Sequence, residues 1–298
     1  MTDDAPLLAG VELGGTKAIV VLGRGDEIVE RHRFPTAAPA ETLPSITAVL
    51  RRWASSEEPP RALGIASFGP LGIDPASPAY GEIFTTTKPG WAGTNLLDEL
   101  SGIVGGPVGL STDVIAPALA EAEWGAARGC RDHAYITVGT GIGVGVIVAG
   151  QPVVGRLHPE AGHMRVARVP GDGFVGVCHY HGDCLEGLAS GPAIGSRAGD
   201  KGERVSDDDP VWPFVIDALA QGCANLLLTL ASERIVLGGG VIVSRPWLVP
   251  AVEARMVELL GGYLPYVGEG PVLRVAELGP DAGPRGALLL ARNALAAG

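Results

Sequence analysis

Twice in this sequence an apolar run meets a cluster of glycines and continues as a second apolar run. Leu7–Leu22 reads LLAGVEL, GGTK, AIVVL, and His133–Ala149 reads HAYITVGTGIGVGVIVA. Strand-forming residues on both sides of a glycine turn predict an antiparallel hairpin. Two such hairpins predict two similar halves facing a common cleft. A third glycine cluster, Gly238–Gly240, follows the short strand Arg234–Leu237. Apolar spacing predicts helices over Thr42–Trp53, Asp113–Trp124, Val215–Leu230 and Arg285–Ala297, and strands over Arg61–Ser67 and Val108–Leu110. Ser111 and Thr112 stand where the second of these helices would be capped. The Pro/Gly-rich stretches Phe68–Gly93 and Gly150–Pro170 read as loops near the cleft. The class is α/β with mixed sheets, and 298 residues suit two lobes better than one core.

A formal charge of −11 argues against a nucleic-acid or anionic-membrane surface, each of which needs a basic footprint. The acidic start, Met1–Pro6, has no basic region followed by an apolar stretch, so no signal peptide is expected. No run of about 18 apolar residues lacks glycines or charges, so no transmembrane helix is expected either. The expectation is a cytoplasmic protein whose four cysteines stay reduced. Cys130 and Cys223 lie in apolar, helical contexts and read as small core residues.

The glycine turns have a chemical use. Gly14 and Gly15 leave backbone N–H groups uncrowded for a phosphate, Thr16 adds a hydroxyl and Lys17 a cation. Glu12, at the strand end, could hold Mg²⁺ through water. Thr140, Gly141 and Gly143 could serve the β- and γ-phosphates in the second hairpin. One such turn alone is only a hairpin; two, followed by GGG, point to a nucleotide. Neither turn matches G-x-x-x-x-G-K-[ST], and GIGVG in Gly141–Gly145 opens no helix, which excludes Walker-type and dinucleotide-binding sites.

Cys178-His179-Tyr180-His181-Gly182-Asp183-Cys184 gathers soft ligands within seven residues. With His163 upstream, His163, Cys178, His181 and Cys184 can form a Cys₂His₂ tetrahedron. C-x-x-H spacing prefers His181 to His179. With no position left for water, the zinc would be structural.

ELGGTK, TVGTGIGVG and VLGGG resemble the phosphate-1, phosphate-2 and adenosine motifs of the actin-like ATPase (ribonuclease H-like) fold, and within it the ROK family of sugar kinases and repressors. ASFGPLGIDPASPAYGEIFTTTKPGW and HGDCLEGLASGPAI resemble bacterial fructokinases of that family, which often carry Glu at the position of Glu12. The cysteine/histidine loop resembles the ROK zinc motif, where cysteine more often stands at the position of His181.

The resemblance implies a two-lobed kinase: residues 1–115 in one lobe, residues 116–298 in the other, and a final helix, about 284–298, returning to the first. It implies Asp113 as the base that accepts the sugar hydroxyl proton, where an isolated Asp would only favour the helix dipole. It further implies sugar contacts at Gly69, Asn95, Thr112, Glu160, His163 and Glu186, adenine near Pro192 and Gly238–Gly240, ATP with Mg²⁺, and a homodimer. Ile115 stands where many relatives have Asn, and Gly93 where they have Asn or Asp; Asn95 is an offset substitute. Trp91 either walls the cleft or packs its own loop.

The substrate implied is a hexose, with fructose first, giving fructose 6-phosphate. Glucose, mannose or an N-acetylhexosamine is the runner-up. A non-catalytic sugar sensor is the third reading. A repressor would need a helix-turn-helix ahead of the first strand, and only about six residues precede it.

Overall fold

The computed structural model describes residues 5–298; the reading of the Met1–Pro6 start rests in part on Met1–Asp4, which lie outside the described residues. The chain divides into two compact units. One comprises the chain through Trp124, Val153–Pro159 and Pro280–Gly298; the other comprises Gly125–Pro152 and Glu160–Gly279.

The first unit opens on the expected hairpin, β1 (Leu8–Leu13) antiparallel to β2 (Lys17–Arg24), with Val11 opposite Val20. β3 (Glu27–Pro35) extends it antiparallel. Its sequence, EIVERHRFP, alternates half-buried and exposed residues, so a search for apolar runs misses it. After α1 (Pro39–Ala54), β4 (Leu63–Ser67) adds parallel to β1, and after α2 (Leu96–Leu100), β5 (Val108–Thr112) adds parallel to β4. The sheet order is β3-β2-β1-β4-β5, and α3 (Ile115–Trp124) follows.

The second unit repeats this order. β6 (His133–Val138), β7 (Ile142–Val148) and β8 (Gln151–Pro152) form an antiparallel meander. Then come α4 (Leu185–Ala189), α5 (Gly191–Ala198) and α6 (Trp212–Leu230). β9 (Arg234–Gly238) joins parallel to β6, and after α7 (Gly240–Ser244) and α8 (Leu248–Leu260), β10 (Leu273–Val275) joins parallel to β9. Its order, β10-β9-β6-β7-β8, is that of the first sheet with the same strand senses. The repeated hairpins therefore mark a duplicated topology, the actin-like pattern.

α9 (Ala282–Ala297) packs on β1, β4 and β5 of the first sheet and on α3. A Cβ at Gly64 would lie 1.8 Å from the Ala287 carbonyl oxygen, and one at Gly109 2.4 Å from that of Leu290. Glycine at these positions lets helix backbone lie directly on sheet backbone. Leu288 and Ala291 meet Leu8, Ile19 and Val21 on this face. The opposite face packs Val11, Val20 and Ile65 against Ile46, Leu50 and Trp53 of α1. Each large apolar side chain so buried stabilises the fold by roughly 1.5–3 kcal/mol. α3 packs on α9, so the contacts divide the chain after Trp124, beyond residue 115.

Among the described residues α6 alone is long and apolar enough to cross a membrane, by length and composition. It packs on α4 and α8 as a core helix. Asp217 on α6 pairs with Arg255 of α8 at 2.7 Å. Cys223 is buried on α6, as expected, but Cys130 lies half-buried just after a turn and not on a helix. Small residues around it imitate helical spacing without continuing α3.

Candidate active site

Parallel register builds the first half of the site. Leu13, Ser67 and Thr112 are aligned across β1, β4 and β5. The chain therefore leaves all three strands at one sheet edge, the carboxyl end where ligands gather in α/β sheets. Phe68 N–H donates to the Leu13 carbonyl and Asp113 N–H to that of Ser67, each at 2.8 Å. These bonds bring the Gly14–Thr16 turn, the Phe68–Gly69 segment and Asp113 side by side.

The turn itself is fastened. Gly14 N–H donates to the Lys17 carbonyl at 3.0 Å, and the Thr36 hydroxyl to the Gly14 carbonyl at 2.8 Å. Behind it, the Glu12 carboxylate lies against Gly283 in the first turn of α9. Its Oε2 is buried without a hydrogen-bond partner. Burial pushes the Glu12 carboxyl up to about 7, against the pull of Lys17 and Arg31. A buried oxygen without a partner beside a phosphate turn suits a hydrated Mg²⁺, so the residues present fit that ion.

Thr112 caps α3: its hydroxyl accepts from Ile115 N–H at 3.1 Å. The helix thus starts at Ile115, two residues beyond Asp113. Ile115 belongs to the apolar core of this unit, so the position where relatives have Asn is a packing position here. A Cβ on Gly69 would stand 2.8 Å from Nε2 of His158, which accepts from Leu71 N–H at 3.1 Å. Asn95 is committed to its loop. Its carbonyl oxygen accepts from Leu97 N–H at 2.9 Å and Asp98 N–H at 3.2 Å, and its amide donates to the Tyr80 carbonyl at 2.9 Å. Both ends of the amide therefore hold the loop in which Asn95 stands. Trp91 is wholly buried and packs its loop, with its indole donating to the Ala37 carbonyl at 2.7 Å.

In the second unit the same register places Thr140 and Gly141 beside the third glycine cluster. Gly191 N–H donates to the Gly139 carbonyl at 2.8 Å, and Gly191 also borders Val241. Pro192 opens α5 one residue later, where its fixed φ suits a first helical turn. Gly239 has φ +85 and would put a Cβ 2.5 Å from the Val138 carbonyl oxygen, so the turn from β9 into α7 demands glycine.

Glu186, on α4, reaches this hairpin. Its Oε2 accepts from Ile142 N–H at 3.1 Å, and a Cβ on Gly141 would lie 2.6 Å from the same oxygen. Its other oxygen stands 4.0 Å from His163 Nδ1. The Glu160 carboxyl is pushed up to about 7, first by burial and then by the charge of Glu186. Glu160, His163 and Glu186, placed together by the resemblance alone, are thus neighbours in the second unit.

His163, Cys178, His181 and Cys184 present ligand atoms all within 4.8 Å of one another. The two Nδ1 atoms are 3.3 Å apart, and three of the four sulfur–nitrogen separations are 3.5, 3.6 and 3.7 Å. Metal–ligand bonds of about 2.05 Å to nitrogen and 2.3 Å to sulfur give tetrahedral edges of about 3.3 and 3.6 Å. The cluster has the dimensions of a zinc-sized cage. Burial pushes the Cys184 thiol up to about 11, so a cation is needed to hold it as a thiolate.

Residues 8–294 match the model of the ROK family. The chain is a member of the ROK family. A fructokinase of Pediococcus pentosaceus is 40% identical over 97% of this chain and 99% of its own. The ROK hexokinase of Thermus thermophilus superposes with a TM-score of 0.78 at 26% identity, covering 98% of this chain and 100% of that one. A ROK glucokinase of Streptomyces griseus, solved with glucose and AMPPNP, gives 0.77 at 27% identity over 96% and 99%. The likeness to these ROK structures is to the whole actin-like ATPase fold.

Two residues at the ROK turns escaped sequence reasoning. Lys88 donates to the Gly15 carbonyl at 2.6 Å, and His158 holds the segment after Gly69. Lys88 lies within the TTTKPGW end of a fructokinase-like stretch, and His158 within the Gly150–Pro170 stretch read as a loop. Neither has local spacing that names its partner.

Proposed function

We propose that the chain is an ATP-dependent hexose kinase acting on fructose, with fructose 6-phosphate as product and Asp113 as general base. The observation that carries the reading is the likeness, over nearly the whole chain, to a protein named fructokinase. The duplicated topology and the fastened Gly14–Thr16 and Gly139–Gly141 turns supply the backbone donors that a nucleotide's phosphates need. Asp113 takes the proton of the sugar hydroxyl as the oxygen–phosphorus bond forms and the bond to the ADP oxygen breaks. The proton ends on the carboxylate, and ADP leaves with the charge. Glu12 would hold Mg²⁺ through water, and the ion would neutralise charge on the phosphates. Pro192 and Gly238–Gly240 border the adenosine in this reading.

Glu160, His163 and Glu186 are the proposed sugar contacts, together with Gly69 through its backbone and Thr112 as the cap that orients Asp113. Two carboxylates can each accept from neighbouring hydroxyls and so select one epimer. His163, Cys178, His181 and Cys184 would hold zinc with no open position, which makes it a brace for α4 and Glu186. Homodimerisation belongs to the same reading, with scattering mass in solution as its measure.

A second reading, a kinase for glucose, mannose or an N-acetylhexosamine, draws on the likeness to the Streptomyces griseus glucokinase. A coupled ADP-release assay across a hexose panel separates the two. Fructose should give the highest kcat/KM. Preference for another hexose would favour the second reading, and no turnover with any sugar would favour a sensor.

A further inference from the structure

Lys88 stands on the loop after β4, in the run Thr85-Thr86-Thr87-Lys88-Pro89-Gly90-Trp91. The loop is anchored close to the lysine. Trp91 is wholly buried, donates to the Ala37 carbonyl at 2.7 Å and meets Phe68 edge-on with ring centroids 5.5 Å apart. The Lys88 ammonium lies 5.2 Å from the Phe68 ring centroid and donates to the Gly15 carbonyl at 2.6 Å. A Cβ on Gly15 would stand 2.9 Å from Nζ, so glycine at the turn leaves the ammonium its seat.

This contact has a geometric consequence for the turn. A trans peptide is planar, and its C=O and N–H point in opposite directions. Holding the Gly15 carbonyl on Lys88 therefore aims the Thr16 N–H the other way, fixing one of the turn's donors. A neutral donor would serve a mere tie to a carbonyl, and an ammonium is costly to bury. Burial indeed pulls the Lys88 ammonium down from its ordinary range, while the charge of Asp113 pulls it back up. Lys88 is thus within the electrostatic reach of the proposed base as well as bonded to the phosphate turn.

We infer that Lys88 is a positioning residue for phosphoryl transfer: it fixes the Gly15–Thr16 peptide for the phosphate. The inference rests on the kinase reading above and adds a residue to it. Lys88 acts through the turn. Its removal should therefore lower kcat and leave hexose KM nearly unchanged.

The test uses the full chain with fructose and MgATP. Lys88→Met should lower kcat by about 10²-fold, the lower end of the range seen on losing one preorganised donor, with fructose KM within about threefold and Tm within about 2 °C. Lys88→Ala should regain at least about fivefold in kcat with added ethylammonium, which restores the charge in the space vacated. Wild-type kcat in Lys88→Met would overturn the inference. So would a loss matched by a fall in Tm and not rescued by ethylammonium, which would mark a purely structural tie. Wild-type protein runs in the same assay: its failure to release ADP with any hexose would overturn the kinase reading and this inference together. An active wild type with an equally active Lys88→Met would overturn the inference alone.

Discussion

Asp113, just past the end of β5, and Glu12, near the end of β1, are carboxylates of one sheet, and their surroundings suit them to different work. Asp113 sits between a strand end and a helix cap, with its N–H held by Ser67. Asp113→Asn removes the proposed proton acceptor while keeping shape, so kcat should fall by about 10³-fold with Tm unchanged; steady-state kinetics and calorimetry check both. Glu12 is buried behind the phosphate turn, with its carboxyl up to about 7. For an acid raised on folding, the folded protein holds more protons than the unfolded chain between the two pKa values. Stability should therefore decline as pH rises from about 4.5 to about 7. Glu12→Gln should lessen that decline and raise Tm at pH 8 by about 3 °C in magnesium-free buffer, as read by thermal melts across pH. An unchanged melting profile would contradict the burial of this carboxylate.

The elements act as clamps on loops. Helix α4 carries Glu186 into the second hairpin, and Cys184 of the metal cluster stands immediately before the helix. The cysteine/histidine loop, helix and second glycine turn are thereby one mechanical unit. Gly141→Ala should push the Glu186 carboxylate off Ile142, since the added Cβ would lie 2.6 Å from Oε2. The expected outcome is a loss of about 10²-fold in kcat/KM, measured by initial rates with fructose and with ATP varied separately. Secondary structure was legible to different degrees. Helix α8 went unread, while the hairpin strands and helices α1, α3, α6 and α9 announced themselves through periodicity. β3 did not, because an edge strand with alternating charges contains no apolar run. Asp113–Trp124 read as one helix, yet the Thr112 hydroxyl begins it at Ile115, a capping choice that propensity alone leaves open.

At the scale of the whole molecule, the proposed zinc would tie His163 to the Cys178–Cys184 loop and anchor α4 in the second unit. Metal analysis should find about one zinc per chain, and removal by a strong chelator should lower Tm by at least about 5 °C. Retention of full stability and activity without zinc would refute a structural metal. The duplicated sheets were legible because strand–glycine–strand grammar is local, and two copies of it imply one topology used twice. The metal ligands were legible for a related reason: three lie within seven residues, and soft ligands rarely gather so closely without use. Asp113, Glu160 and Glu186 were legible only through family motifs, since an Asp or Glu by itself is equally a surface or capping residue. Tertiary structure decided what no local pattern encodes. It assigned Asn95 to a helix cap, Trp91 to the core and Ile115 to packing, and it seated Lys88 on a turn 73 residues away. The opening glycine turn fixes where a phosphate could bind, because backbone freedom is a property of residue type. Which cation steadies that turn depends on how β1, β4 and their loops align, and alignment is set by long-range packing.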